Sequence, residues 1–309
     1  MIRKILLSTA FILGACSDAD TQVAETPATE VLQASEAAPA PAPMAVGFDA
    51  PDSAWRTVDP NNLIYIDTRT GRMIIELFPE IAPEHAARIK QLAGSDFYDG
   101  LEFFRTLEGF MNQTGDPTNS GTGDSGMPDL PAEFTFRRGT DMPVTIVGAA
   151  SGPEGQVQTG FYKGMPVATQ PSSQAILTKD GKVTAYALHC PGVLSMARAS
   201  DPNSANSQFF LMRGAAPFLD SQYTVWGRVV SGQEHVEQVV ITRGPGEVPI
   251  EGVTPDVMED VGLYADLADA KTVQVLDTDS DAFQTYLDGE KVAGNYPDIC
   301  DISIPSRLN

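Results

Sequence analysis

A succession of short runs rich in β-branched and aromatic residues limits this chain, more than any other feature, to a mainly β fold. The first run is 62–68, and a polar turn through Gly71 leads into a second run at 73–78. Such runs, bounded by Gly and polar residues, are typical of antiparallel hairpins. Comparable short runs recur later in the chain, at 101–107, 110–113, 193–199, 208–213 and 223–230.

Two isolated helical patterns accompany these runs. Pro83 suits a first helical turn, apolar residues recur at helical spacing as far as Leu92, and Gly94 stands where a C-terminal cap is expected. A second, shorter helix is predicted at 234–240. Many short strands with two helices favour a closed antiparallel barrel that carries helical lids.

Two segments fit a simple barrel less well. Residues 137–188 form a long insertion that is rich in Gly and Pro and weakly patterned. Residues 243–309 form an acidic appendage of expected α/β character, with predicted elements at 272–276, 282–287 and 302–304. The folded part is therefore expected to comprise a domain at 54–242, which contains the insertion, followed by the appendage.

The first residues resemble a bacterial export signal. Two basic residues precede an apolar run at 5–13 that is too short to span a bilayer as a helix. The run ends in Leu-Gly-Ala-Cys at 13–16, which looks like the lipobox of a bacterial lipoprotein. We predict a signal peptide at 1–15 and a lipid on the thiol of Cys16. The alternative is an ordinary cleavable signal with an incidental cysteine.

The stretch after the predicted signal is expected to be a tether. Residues 16–53 are rich in Ala, Pro, Thr, Ser and Glu and lack the spaced bulky residues of a core, so we expect disorder. Acyl chains on Cys16 would hold the chain on a lipid bilayer, because each buried CH2 contributes about 0.8 kcal/mol. The expected location is the bacterial cell envelope, facing the periplasm. Ser17, rather than Asp, follows the cysteine, and this favours the outer membrane.

The charge balance excludes one class of partner. Lys and Arg number 20 against 41 Asp and Glu, which gives a formal net charge of −21. Because nucleic-acid binding requires clustered Lys and Arg, no nucleic acid is expected as a partner.

The three His residues are isolated, and the Asp-rich stretch at 277–281 is not followed by the Gly of a calcium loop. Neither a metal nor a cofactor is therefore expected.

The cysteines carry a hint about the compartment and the fold. If Cys16 is acylated, Cys190 and Cys300 remain in an oxidising compartment. We predict that they form a disulfide, which would fasten the appendage to the barrel. The alternative is two buried free thiols, which behave as small apolar groups.

Three segments in register carry the strongest functional signal. Residues 103–116 read Phe-Phe-Arg-Thr-Leu-Glu-Gly-Phe-Met-Asn-Gln-Thr-Gly-Asp. Residues 192–199 read Gly-Val-Leu-Ser-Met-Ala-Arg-Ala, with Asn-Ser-Gln-Phe-Phe at 206–210. Phe-Leu-Asp at 218–220 leads to Thr-Val-Trp-Gly-Arg-Val at 224–229. Their order and spacing resemble those of the cyclophilins, a family of peptidyl-prolyl cis–trans isomerases. The first segment is similar to the family block Phe-His-Arg-x-x-x-Gly-Phe-x-x-Gln-x-Gly-Asp.

The resemblance implies a fold, an activity and a set of site residues. The fold would be a closed eight-stranded barrel with its active groove on the outer face. Arg105 would be the catalytic hydrogen-bond donor, and Gln113 would hold the carbonyl side of the substrate. The proline pocket would be lined by Phe110, Met111, Phe210 and Leu219. Further substrate contacts would come from Ala197, Arg198, Ala199, Gln208, Phe218 and Tyr223.

The chemistry of prolyl rotation explains why these residue types suffice. The barrier to rotation is about 18–20 kcal/mol and arises from amide resonance. A donor aimed at the prolyl nitrogen stabilises the twisted amide, in which that nitrogen becomes pyramidal. A permanently charged guanidinium suits this task, and an apolar pocket grips the ring. No nucleophile, metal or cofactor is needed.

Four positions depart from the family pattern. The His that often precedes the catalytic Arg is Phe104, and the Asn of the substrate loop is Arg198. The frequent Trp at the pocket rim is Phe218, which lacks an indole N–H donor, and the nearby His is Tyr223. These changes leave the proposed donor in place. They alter side chains that would affect which peptides bind and how sensitive the protein is to cyclosporin.

Two functions follow from these residues. The first is an active isomerase that rotates X-Pro bonds in proline-containing polypeptides of the cell envelope and assists their folding. The alternative is a membrane-tethered peptide-binding or chaperone module with little catalysis. Retention of Arg105 together with Gln113 favours the enzyme, because a pure binder has no need of the guanidinium.

Overall fold

The computed structural model describes residues 48–153 and 155–309. The predicted signal peptide, the lipidated Cys16 and the tether up to residue 47 lie outside the described residues. The helices are α1 (Pro83–Ala93), α2 (Gln233–Gln238) and α3 (Asp281–Glu290). The strands are β1 (Trp55–Thr57), β2 (Leu63–Thr68), β3 (Gly71–Leu77), β4 (Arg105–Leu107), β5 (Met111–Thr114), β6 (Phe136–Arg138), β7 (Thr145–Gly152), β8 (Gly155–Tyr162), β9 (Met165–Thr169), β10 (Val183–Ala187), β11 (Val193–Met196), β12 (Phe209–Met212), β13 (Val225–Ser231), β14 (Asp260–Leu263), β15 (Val273–Leu276) and β16 (Ser306–Leu308).

The main sheet is eight-stranded and antiparallel, but the predicted closed barrel is wrong. Its order is β14-β2-β3-β13-β11-β12-β5-β4, and the two edge strands do not pair with each other. The sheet is therefore a curled half-barrel. Closure fails because irregular backbone lies between the edges. Thr242 N–H donates to Thr106 O at 3.2 Å, and Gly100 N–H donates to Met258 O at 2.7 Å. These bonds occupy backbone groups that a neighbouring strand would otherwise use.

The β2–β3 hairpin shows why its strands are apolar on both faces. Ile64 and Ile75 lie opposite each other and belong to a core that includes Ile89 of α1 and Val236 of α2. Leu63, Tyr65 and Ile74 belong to a second core on the opposite face. Both faces of the sheet are covered, so the usual alternation of apolar and polar residues disappears.

The helices follow their sequence signals closely. Helix α1 begins at Pro83, and the N–H of Gly94 donates to Lys90 O at 3.0 Å as the helix ends. Helix α2 is shorter than the predicted 234–240, because Val239 has an extended backbone. Helix α3 begins after Ser280, whose hydroxyl oxygen accepts a hydrogen bond from Phe283 N at 3.1 Å. This cap satisfies one of the free N–H groups of the first turn.

The insertion forms a sheet of its own. Strands β6 to β10 are arranged in the antiparallel order β6-β10-β9-β8-β7. Every residue of β9 is buried, and β8 and β9 include small residues such as Gly160 and Ala168. A strand that is covered on both sides shows no alternation, which is why the segment 137–188 looks weakly patterned.

Segments near the two ends of the described residues contribute a third sheet in the order β1-β15-β16. Strand β15 lies within the segment predicted as a strand at 272–276, but the predicted closing strand at 302–304 is not a strand. Ile302 and Ile304 instead bury their side chains in the second core, and pairing begins where Leu276 N–H donates to Pro305 O at 2.9 Å. Strand β14, from the predicted appendage, pairs with β2 in the main sheet.

The predicted disulfide is present in the structure. Cys190 and Cys300 are bonded, with their Cα atoms 4.8 Å apart. The bond joins the segment before β11 to a short 3-10 helix, Ile299–Asp301. It therefore fastens the C-terminal segment beside the main sheet.

No helix in the part of the chain that the structure describes is long and apolar enough to cross a membrane.

Candidate active site

The β4–β5 hairpin places Arg105 directly opposite Gln113. The Arg105 Nη1 group donates to Gln113 Oε1 at 3.0 Å and lies 3.9 Å from Met111 Sδ. The Arg105 side chain keeps 27% of its surface exposed. The guanidinium is therefore held in one orientation yet remains accessible at the surface.

A chain of amides extends this arrangement. Gln113 Nε2 donates to Gln208 Oε1 at 3.1 Å, and Gln208 Nε2 donates to Gly123 O at 2.9 Å. The loop that contains Gly123 is ordered by Asp116, which accepts backbone N–H bonds at 2.7 Å from Thr118 and at 2.5 Å from Gly121. Burial opposes ionisation, yet these hydrogen bonds hold the pKa of Asp116 below its usual value.

Apolar side chains beside the guanidinium form the surface that the resemblance assigns to the substrate groove. Met111, Phe210 and Leu219 are buried and belong to the second core. Phe110 is partly buried and packs against Phe218, with ring centroids 5.7 Å apart. This set of residues provides the kind of surface that a proline ring can contact.

The predicted substrate loop uses several of its backbone groups internally. Ala197 N–H donates to Gln208 O at 2.9 Å, which leaves the Ala197 carbonyl as the group it can offer a peptide. Ala199 N–H donates to Ser204 Oγ at 2.9 Å. Arg198 stacks over Tyr223, with its Cζ 4.5 Å from the ring centroid. The loop is thus ordered before any peptide binds.

A buried polar network supports Phe210 from behind. His189 stacks on Phe210 at 6.0 Å between ring centroids, and its Nδ1 lies 2.9 Å from Asp220 Oδ1. Its Nε2 lies 3.1 Å from Ser195 Oγ, and that hydroxyl donates to Thr224 O at 3.0 Å. Although Ser, His and Asp are hydrogen-bonded in a line, Ser195 is fully enclosed and cannot act as a nucleophile toward an external substrate. The network is structural.

Phe104 also has a structural environment. It is buried, and its carbonyl oxygen accepts a hydrogen bond from Thr242 Oγ1 at 3.4 Å. The side chain at this position is a buried aromatic ring and offers no polar group.

Sequence reasoning missed one residue of the site. Glu247 accepts hydrogen bonds from Arg105 Nε at 2.8 Å and from Arg105 Nη2 at 2.6 Å. The hydrogen bond from Arg105 lowers the pKa of Glu247. The two residues are 142 positions apart, and nothing in the local sequence around Glu247 signals the contact.

Metal chemistry has no evident location in the described residues. None of their His, Cys, Asp and Glu side chains form a group of three or more that could hold an ion. The arrangement offers instead a fixed cationic donor beside an apolar groove. These are the two features that rotation about an X-Pro bond requires.

The curled sheet, with a fixed donor beside apolar side chains, is the arrangement expected of a prolyl isomerase of the cyclophilin class. The family model described as cyclophilin type peptidyl-prolyl cis-trans isomerase/CLD matches residues 63–255, more than half of the chain, and the chain belongs to this family.

Two similar proteins support the assignment to the cyclophilin family. A probable peptidyl-prolyl cis-trans isomerase of Brucella suis is 34% identical over 195 residues, which cover 59% of this chain and 72% of the relative. A peptidyl-prolyl cis-trans isomerase of Schizosaccharomyces pombe is 30% identical over 189 residues, covering 61% of this chain and 92% of the relative.

One solved structure resembles more of the chain. The crystal structure of cyclophilin AquaCyp293 from Hirschia baltica has a TM-score of 0.71 and 35% sequence identity. The match covers 82% of this chain and 93% of that one. It therefore extends beyond the family region into the additional segments.

Proposed function

We propose that this cyclophilin-family isomerase acts on proline-containing polypeptides of the bacterial cell envelope and assists their folding. The observation that carries the proposal is the fixed position of Arg105 beside the apolar groove, with Nη1 held by Gln113. The groove binds the proline ring, and the guanidinium donates to the prolyl nitrogen as the amide twists. Because the donor is already oriented, little reorganisation is required in the transition state.

The donor count supports this role for Arg105. A guanidinium has five N–H donors. Glu247 accepts two of them and Gln113 accepts one, and Nη1 also makes a long contact with Met111 Sδ at 3.9 Å, so one N–H group on Nη2 is unused and one on Nη1 is only weakly bound. These groups are the ones proposed to meet the substrate.

The sequence supports the envelope as the location, through the lipobox-like residues 13–16 and the Ala/Pro-rich stretch after Cys16. A lipid on Cys16 holds the enzyme on the membrane, facing the periplasm, and we expect the outer membrane as its destination. Fractionation of cells that produce the wild type and the Cys16→Ser variant tests this. The wild type is expected with the membranes and the variant in the soluble fraction. A wild type found only in the soluble periplasmic fraction would contradict it.

The isomerase proposal itself is tested on a proline tetrapeptide. The full chain is expected to accelerate cis–trans exchange of the peptide at catalytic concentrations. Measuring binding of the same peptide separates the enzyme from a peptide-binding module. Binding without acceleration would support the module and overturn the proposal.

A further inference from the structure

Glu247 holds the outer edge of the proposed catalytic guanidinium. Its two carboxylate oxygens accept hydrogen bonds from Arg105 Nε and Nη2, at 2.8 and 2.6 Å. A bidentate pair of this kind fixes the plane of a guanidinium as well as its position. The opposite side of the same group, Nη1, faces Gln113 and Met111. The carboxylate and the pocket residues thus lie on different sides of the guanidinium.

The loop that carries Glu247 is fastened to the strand that carries Arg105. Thr106 N–H donates to Thr242 Oγ1 at 2.9 Å, and Arg243 N–H donates to Thr106 O at 3.1 Å. The loop is closed on itself by the hydrogen bond from Gly244 N to Val248 O at 2.8 Å. The base of the loop is therefore bonded to β4, which keeps Glu247 close to Arg105.

The backbone of the loop gives a second, independent observation. Gly246 and Glu247 both have left-handed backbones, with φ of 68° and 61°. Glycine adopts this conformation freely, whereas a residue with a side chain is rarely found in it. Glu247 is therefore held in a backbone conformation that its side chain does not favour. Half of that side chain, 52%, is exposed, so burial does not account for it.

We propose that Glu247 is a positioning residue for prolyl isomerisation, holding Arg105 in the orientation in which its Nη groups meet the twisted amide. This inference rests on the proposed function of Arg105. The carboxylate takes only the Nε–Nη2 edge and leaves both donors of Nη1, which face Gln113 and Met111, and one donor of Nη2. It therefore orients the catalytic group without using up its donors.

The role of Glu247 has a defined dependence on pH. The cationic groups that lower its pKa are Arg105, chiefly through the hydrogen bonds, and Arg243 through its charge, while burial opposes them. The pair is therefore intact above the lowered pKa of Glu247. It is lost as the pH falls through that value, and the turnover number should fall over the same range.

The experiment measures kcat and KM separately by NMR exchange on a proline tetrapeptide, across pH, with the full chain. Glu247→Gln keeps the shape of the side chain and removes its charge. We expect kcat to fall about tenfold, with KM changed less than about twofold, because the loss affects the orientation of the donor rather than the groove. In the wild type, kcat should decline at low pH, and we call this decline the acid limb. The acid limb should be absent from this variant. Glu247→Asp keeps the carboxylate and should retain both more activity and the acid limb.

Glu251→Gln is the matched control. It removes the same charge from an exposed glutamate four positions along the chain, and it should leave kcat and the acid limb unchanged. A Glu247→Gln variant with wild-type kcat overturns the positioning role. A variant faster than the wild type also overturns it, since the carboxylate would then be blocking the donor. A wild type with no turnover overturns the proposed function and the positioning role together, whereas an active wild type matched by Glu247→Gln overturns only the latter.

Discussion

At the residue scale, the proposed groove has an ordered rim. Phe218 is 57% exposed and packs its ring on Phe110 at the open side of the groove. Arg198 lies over Tyr223 and also donates from Nε to Gln222 O at 3.1 Å. These side chains contact each other before substrate arrives, so ligands must fit an ordered rim.

Phe218 should make the enzyme poorly sensitive to cyclosporin. Phenylalanine cannot donate the hydrogen bond that an indole N–H provides, and an unpaired buried partner on the ligand costs about 1–3 kcal/mol. Titration of cyclosporin into the isomerisation assay should therefore show weak inhibition, and Phe218→Trp should strengthen it. Inhibition of the wild type at nanomolar concentration would contradict this account.

How much of the site the sequence predicts depends on where its residues lie along the chain. Arg105, Met111 and Gln113 fall in one block, and the hairpin that brings them together is short, so the pattern alone implies their contact. Glu247 reaches Arg105 only because an irregular loop returns to β4 after α2. Such contacts depend on tertiary packing, which no local pattern of residues encodes.

At the element scale, the turn between β8 and β9 connects the inserted sheet to both of the other sheets. Lys163 O accepts from Arg56 Nη2 at 2.9 Å, and Gly164 O accepts from Arg228 Nη1 at 2.7 Å. Burial lowers the pKa of Arg228 to about 10, so this guanidinium depends on the carbonyl partner for its stability. The turn is therefore a specific docking point for the inserted sheet on the main sheet.

Gly164→Ala should destabilise the fold strongly. Gly164 has φ of 90°, and a Cβ there would collide with Arg228 Nη1. We expect the free energy of unfolding to fall by about 3 kcal/mol, from backbone strain together with the disturbed charged hydrogen bond. Urea denaturation measures it.

Gly181→Ala provides the control for this collision. Gly181 also has a positive φ, of 65°, but a Cβ there has no atom within 4 Å. In this variant the free energy of unfolding should fall only by the cost of backbone strain, about 1 kcal/mol. Equal losses in the two variants would show that the Arg228 contact contributes nothing.

The curled sheet and its covering layers could be predicted from the sequence only in part. The β2–β3 hairpin and α1 have strong local signals, and the structure has both where they were expected. The strands of the insertion are buried on both sides and lack alternation, so their pairing is decided by long-range contacts. The opening between β14 and β4 likewise results from backbone that has no pattern of its own.

At the scale of the whole molecule, one core connects the additional segments to the groove. The core that contains Met111 and Phe210 also contains Val275 of β15, Phe283 of α3 and Met165 of β9. The added sheets therefore pack behind the proposed substrate site. Their stability and the shape of the groove are linked through shared contacts.

The Cys190–Cys300 bond should contribute much of the stability of this arrangement. It spans 110 positions in the sequence, and a loop of that length corresponds to about 4–5 kcal/mol in the entropic model. The Cys190→Ser, Cys300→Ser double variant should show a correspondingly lower free energy of unfolding. Intact-mass analysis of the denatured wild type, alkylated without reductant, should show no alkyl group on either residue. Uptake of two groups would show free thiols.

The measurement that tests the central claim most directly is the rate of cis–trans exchange of a proline tetrapeptide with wild-type protein and with Arg105→Ala. Arg105→Ala removes a charged donor that stabilises mainly the transition state. We expect kcat/KM to fall by two to three orders of magnitude, which corresponds to a rise of about 3–4 kcal/mol in the activation free energy. Arg105→Lys should restore little, because an ammonium cannot present the planar fork that Glu247 and Gln113 hold. An Arg105→Ala variant with turnover close to the wild type would contradict the account.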